Sequence, residues 1–282
     1  MLAAAACPAH HIPRPSSARP AYPAQVPAAA GPLGTHDTEP LAPLLELPGV
    51  GEAAASARAS IDRLLAHRVL RSQGHAVTAE SALRGARASA ALAGVDVSLA
   101  TLRAGGSTDP VVQGALRSCL GVGDLLDTWR RAPLQALARP HVLAAADLVP
   151  ADRLGRPVGR PDVAARLDGL AGLVAGGSQA AAVVLAAVVH GELLALRPFG
   201  SADGIVARAA ARLTTVSRGL DPRMVGVPEV GHLERRAEYA STLAAYAGGT
   251  PDGVASWLRH CCSAIALGAQ EGLAVCEALL RG

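Results

Sequence analysis

Residues 180–196 run through Ala, Val and Leu with Glu192 as the only formal charge. A helix without a polar face must be wrapped by other helices. That stretch therefore sets the architecture: a central helix, buried all round, ending at Pro198. The wider segment Leu170–Val189 is uncharged over about the length that spans a bilayer. It is interrupted by Gly176-Gly177-Ser178-Gln179, however, and reads as core rather than membrane. Aromatic residues make up 2% of the chain, while Ala, Leu and Arg, the strongest helix formers, are abundant. No run alternates apolar and polar residues long enough for a sheet, so the expected fold class is all-α, with a buried helix-loop-helix at its centre.

Residues 1–40 are rich in Pro and Ala and hold few large apolar side chains. They are expected to be disordered, because they bury too little surface to offset ordering entropy. The His10-His11 pair there reads as solvated rather than metal-binding. Folding is expected from Leu41, with an N-terminal helical region over 41–134, the core over 135–268 and a helix end over 269–282. Ile61, Leu64, Leu65 and Val69 follow helical spacing. Thr78–Ala93 is predicted helical with Thr78 as its cap, and Val95–Leu102 as a short extended flap. Asp109-Pro110 predicts a helix start, with Pro110 at the first helical position and the helix running to Gly121. Asp124–Arg131 and Asp162–Val174 read as helices, and Pro140, Pro150, Pro157 and Pro161 as breaks between elements. Ile205, Ala209, Leu213 and Val216 share one face of a helix after the loop, and Leu233, Ala237, Ala240 and Ala244 mark another. Val254, Trp257, Leu258, Cys261 and Ile265 define a long C-terminal helix.

Composition also bounds function. The net charge is +3, all the basic residues are arginine, and no basic run is interleaved with aromatics, which argues against nucleic-acid binding. The five cysteines include no Cys-x-x-Cys, which fits a reducing cytoplasm and neither a disulfide framework nor a zinc ribbon. Cys261-Cys262 reads as core packing. Gly121-Val-Gly123 is too short for a dinucleotide fingerprint. His190-Gly-Glu192 is not a metal pair, because residues two apart diverge on a helix.

The informative segment is Leu196-Arg197-Pro198-Phe199-Gly200-Ser201-Ala202-Asp203-Gly204-Ile205-Val206-Ala207-Arg208, which holds the only phenylalanine of the chain. This resembles the catalytic loop of the Fic/DOC (Fido) family, His-Pro-Phe-x-Asp/Glu-Gly-Asn-Gly-Arg-x-x-Arg between two helices. Pro198, Phe199, Gly204 and Arg208 match. His190, Gly219, Pro222 and Arg236-Ala-Glu-Tyr239 resemble flanking family features. The resemblance implies an all-α Fic-like bundle. It also implies transfer of AMP or another phosphate-containing group to a protein hydroxyl, with a nucleotide and magnesium as ligands.

The departures fall on the chemistry. The family's general-base histidine is replaced by Arg197, and a guanidinium offers no acceptor lone pair and keeps its proton. The family's metal-holding carboxylate becomes Ser201, a weaker ligand for a hard cation. Its first glycine becomes Ala202, its asparagine Asp203 and its first arginine Ile205. A self-inhibitory Ser/Thr-x-x-x-Glu-Gly/Asn segment of the family is matched in shape by Ser89, Ala93 and Gly94, with alanine where the glutamate stands.

Each residue carries two readings. Arg197 either binds an anion with the loop amides or pairs with Asp203 or Glu192. Ser201 reads as a helix cap rather than a metal ligand. Asp203 reads as a first-turn carboxylate favoured by the helix dipole, or as a shifted magnesium ligand. Arg208 is the best retained phosphate contact, or else an ion-paired arginine. Gly200 and Gly204 permit the turn. His190 is a substitute base or a core histidine, and Phe199 anchors the loop. The anion site would comprise Arg197, Gly200, Ser201, Asp203, Gly204 and Arg208, with no required cofactor and no metal. The expectation is a Fic-like domain silent for AMP transfer, acting through an unidentified protein partner or an anionic ligand, with a homodimer open. The alternative is a divergent transferase. Neither a membrane nor a nucleic acid is expected as partner.

Overall fold

The buried stretch forms α9 in a computed structural model that describes residues 39–281. In chain order the helices are α1 (Ala42–Leu45), α2 (Val50–Leu65), α3 (Gly74–Leu92), α4 (Leu99–Arg103), α5 (Pro110–Gly121), α6 (Leu126–Arg131), α7 (Pro133–Ala145), α8 (Pro161–Gly172), α9 (Ala182–Leu196), α10 (Asp203–Ser217), α11 (Pro228–Glu234), α12 (Arg236–Ala247) and α13 (Pro251–Arg281). No strand occurs among the described residues. The expected disorder of residues 1–40 and the His10-His11 pair lie almost wholly outside the described residues.

Helix α9 packs against α10, α12 and α13, and α13 in turn runs along α2, α11 and α12. Val183 to Gly191 are all buried, as the sequence requires of a helix with no polar face. The fit is close. The Trp257 indole N–H donates to the Ala187 carbonyl at 2.8 Å, and a Cβ on Gly191 would stand 2.7 Å from that indole nitrogen. Only glycine fits there. Among the described residues α13 is long and apolar enough to span a membrane, but Trp257, Leu258, Cys261, Cys262 and Ile265 bury one side of it in the core.

Several local expectations are corrected. Helix α3 starts four residues before Thr78, whose hydroxyl bonds the carbonyls of Gly74 and Arg223 instead of capping an end. Val95–Leu102 is not an extended flap: Ser98 accepts from the Thr101 amide and caps the short helix α4. Pro140 does not break the chain but lies inside α7. It removes the bond to the Ala136 carbonyl, and burial of Ala136, Leu137, Pro140 and Ala144 on one face offsets that loss. The expected boundary at 134/135 falls inside α7, and that at 268/269 inside α13, so neither divides the fold. Pro110 does open α5, with the Asp109 carboxylate accepting from the Val111 and Val112 amides.

Candidate functional site

Helix α9 stops because Arg197 takes a left-handed conformation, with φ 48°. Pro198 then blocks helical continuation. Gly200 (φ 72°) and Ala202 (φ 51°) are left-handed as well, so the chain reverses tightly and α10 begins at Asp203. For a residue with a Cβ this conformation costs roughly 1–2 kcal/mol, and Arg197 and Ala202 both bear it. The turn is held from below. Phe199 is buried and stacks on the His141 ring, with centroids 4.2 Å apart and planes 8° from parallel.

His141, on α7, was not singled out in the sequence. Its Nδ1 accepts from the Gly155 amide at 2.9 Å, so the ring proton sits on Nε2, which donates to Ser201 Oγ at 3.0 Å. Burial pushes its pKa down, opposed by its hydrogen bond to the Ser201 backbone. A neutral imidazole in this tautomer has no lone pair facing Ser201 and cannot serve as its base. Ser201 is not a helix cap either: Ala202 holds that position with no side-chain bond, because its left-handed turn aims Ser201 back at His141.

Asp203 closes the turn from within. Its Oδ1 accepts the Phe199 amide at 2.9 Å, while the Gly200 amide donates to the Arg197 carbonyl at 3.3 Å. The residue is 7% exposed, and Oδ2 is buried with no hydrogen-bond partner. The Arg197 Nε lies 4.0 Å from Oδ2, and the rest of that side chain is in solvent, 72% exposed. Burial raises the Asp203 pKa, opposed by the Phe199 amide, the Arg197 charge and the Gly200 amide. Both loop amides are thus already bonded within the chain, that of Phe199 to the Asp203 carboxylate and that of Gly200 to the Arg197 carbonyl. Glu192, the other carboxylate considered for Arg197, instead bonds Arg166 at 2.6 Å and Tyr246 at 2.8 Å.

Arg208 points away from the loop mouth. It is 5% exposed and donates to Ser89 Oγ at 2.8 Å, the Ser89 carbonyl at 3.0 Å and Tyr239 Oη at 3.5 Å. A Cβ on Gly204 would meet its Nη1 at 3.3 Å, so the guanidinium runs beneath the first turn of α10. Ser89 and Arg208, singled out separately in the sequence, do meet. Ala93 ends α3, and Gly94 (φ 99°) follows in open space.

His190 is buried, with Nε2 2.9 Å from Tyr239 Oη. Burial drives its pKa well down, helped by the Arg208 charge and His260. It lies in a buried polar layer behind the loop that sequence reading did not find. There Arg212 pairs with Glu229 at 3.3 Å and donates to the carbonyls of Met224 (2.8 Å) and Gly226 (3.0 Å). His232 Nδ1 lies 3.0 Å from His260 Nε2, and His260 Nδ1 lies 3.2 Å from Glu238 Oε1. The carboxylate can only accept, which places the His260 proton on Nδ1 and makes His232 the donor to it. A cavity of about 30 Å³ opens among His190, Arg208, Arg212, Glu229 and His232. That is room for a water molecule or two rather than a substrate.

Apart from the unpartnered Asp203 Oδ2, the loop side chains that could face a divalent cation are already bonded. Ser201 is bonded to His141, Asp203 Oδ1 is bonded to the Phe199 amide, and no group of metal-ligating side chains occurs among the described residues.

No protein-family model matches the sequence, and no curated protein matches it. Solved structures do. A Fic family protein from Desulfovibrio desulfuricans aligns with a TM-score of 0.64 and 18% identity, over 80% of this chain and 74% of its own. Fic-1 from C. elegans aligns with a TM-score of 0.64 and 17% identity, over 84% and 75%. A substituted form of Fic-1 gives 0.56 and 15%, over 81% and 73%. At such identities the likeness is one of fold, and the chain has the Fic fold.

Proposed function

We propose that this Fic-like domain is silent for AMP transfer and acts by binding. The observation that carries this reading is the Asp203 carboxylate seated on the Phe199 amide, with the Gly200 amide bonded to the Arg197 carbonyl. Phosphate recognition by such a turn needs free N–H groups and a favourable dipole. Here both amides are already bonded within the chain, and the Asp203 carboxylate stands in the first turn of α10 where the dipole favours it. A nucleotide phosphate entering the turn would lie against that buried carboxylate, and like charges in a poorly solvated site repel strongly.

The proton chemistry points the same way. Attack by a hydroxyl on phosphorus needs an acceptor near neutral pKa within hydrogen-bond reach. The position that the resemblance assigns to that acceptor is Arg197, a pure donor. His190 does not replace it: its Nε2 is 2.9 Å from Tyr239 Oη, and the ring is sealed in the core. His141 presents Nε2–H to the loop, with its lone pair held by the Gly155 amide. Arg208, the expected phosphate contact, is turned onto Ser89. No neutral imidazole lone pair is directed at the turn.

Calorimetric titration with ATP, CTP and CDP-choline in magnesium tests the proposal, followed by intact-mass measurement of the protein and of lysate proteins. No mass increase is expected with any of them. A saturable nucleotide signal accompanied by a mass increase would overturn the silent reading in favour of a divergent transferase.

A further inference from the structure

Arg208 is a buried cation with no counter-charge of its own. It is 5% exposed, yet each of its acceptors is neutral: Ser89 Oγ at 2.8 Å, the Ser89 carbonyl at 3.0 Å and Tyr239 Oη at 3.5 Å. It makes no ion pair among the described residues. A guanidinium presents five N–H donors, and these contacts use three of them. A charge removed from water without a partner is expensive.

The neighbouring arginine is provided for. Both oxygens of Glu229 lie within 3.4 Å of Arg212 Nη1, so that carboxylate is committed to Arg212. Asp221 also acts on Arg212, but its oxygens are held by the Val225 and Gly226 amides at 3.1 and 2.8 Å, and it does not line the cavity. Burial keeps the imidazoles of His190 and His232 neutral. The walls of the cavity of about 30 Å³ therefore carry two guanidiniums against one carboxylate. The hydrogen bonds supply a further donor. A guanidinium only donates, so the Tyr239 oxygen accepts from Arg208 and gives its own proton to His190 Nε2. The His190 proton then sits on Nδ1, which has no partner among the described residues.

We propose that this cavity holds a single chloride ion, with Arg208 as its counter-charge and His190 Nδ1–H as a second donor. The space suits one monatomic anion not much larger than water, and excludes sulfate or a nucleotide phosphate. This goes beyond silence of the loop, because the cavity lies behind the turn and uses none of its amides. A bound chloride would hold Arg208 in the core, on Ser89, rather than at the loop mouth.

The test is thermal unfolding of the full chain at fixed ionic strength, with sodium gluconate exchanged stepwise for sodium chloride. An ion that binds only the folded chain stabilises by mass action. Above its dissociation constant, each tenfold rise in chloride should raise Tm by roughly 3–6 °C. Sodium sulfate should give only the general salt effect, without saturation. Arg208→Met removes the charge and should abolish the chloride increment. Ala211→Leu keeps Arg208 but fills the cavity from a partly exposed lining position, and should abolish it too. A crystal soaked in bromide should show an anomalous peak beside Arg208. Equal melting in gluconate and chloride would overturn the proposal. So would a chloride increment that survives either substitution, or a bromide-soaked crystal with no peak in the cavity. Nucleotide transfer, tested separately, bears on the loop and not on this site.

Discussion

Acidification should destabilise this protein steeply, and the buried imidazoles set the slope. His190 and His232 are 2% and 4% exposed, and burial pushes both pKa values well below the ordinary 6.5. Arg208 lowers both further, and each also feels neighbouring histidines. In the unfolded chain each ring takes a proton as pH falls through about 6.5, while the folded protein keeps it neutral. Their contribution is therefore fully present above about pH 6.5 and is lost as pH falls towards the depressed folded values. Each such group costs about 1.36 kcal/mol per pH unit, so the pair costs roughly 2.7 kcal/mol per unit and about 4 kcal/mol by pH 5. That is a large part of the 5–15 kcal/mol that holds a typical domain folded. Asp203 and Asp221, whose burial raises their pKa values, act in the opposite sense, stabilising as pH falls through their folded values. Urea unfolding followed by circular dichroism at steps between pH 7.5 and 5 reads the slope directly. His232→Asn should reduce it by about one proton. A stability that is flat between pH 7 and 5.5, or a slope untouched by that substitution, would refute neutral burial of these rings.

Other expectations follow from single contacts. Glu229→Ala strands Arg212 in the core and should cost about 3–5 kcal/mol in urea unfolding. Ala202→Gly relieves a left-handed residue and should raise stability by roughly 1 kcal/mol in the same assay. Gly114→Ala would place a Cβ 2.1 Å from the Ala144 carbonyl oxygen, forcing α5 and α7 apart at a cost of roughly 1–3 kcal/mol or more, read as a lowered midpoint.

The sequence shows the helices well where periodicity carries the information. An uncharged Ala/Val/Leu run has no option but the core, and α9 lies there. Pro110 after Asp109 announces α5 because the cap and the first turn are local. Local rules fail where a distant partner decides. Thr78 has the chemistry of a cap, yet Arg223 offers its carbonyl to a helix already four residues old. Pro140 has the chemistry of a break, yet its ring is needed on the buried face of α7.

The loop divides the same way. Its existence, its Pro-Phe anchor and the loss of a base at Arg197 are visible in one line of residues. The capture of its Phe199 amide by Asp203 depends on which way a side chain turns after the left-handed Ala202. His141 is 60 residues from Ser201, and Ser89 is 119 from Arg208. An isolated histidine in an alanine-rich helix gave no signal that it sits under Phe199. The His232–His260–Glu238 chain was equally hidden, since its members lie on three different helices.

The most direct trial is radiolabel transfer from ATP in magnesium, run with the natural chain and with Arg197→His side by side. The account predicts no labelled protein from either, because restoring an imidazole leaves the Phe199 amide occupied by Asp203, the Gly200 amide bonded to a backbone carbonyl and the phosphate contact turned onto Ser89. Labelling by the natural chain, or recovery through that single substitution, would contradict it.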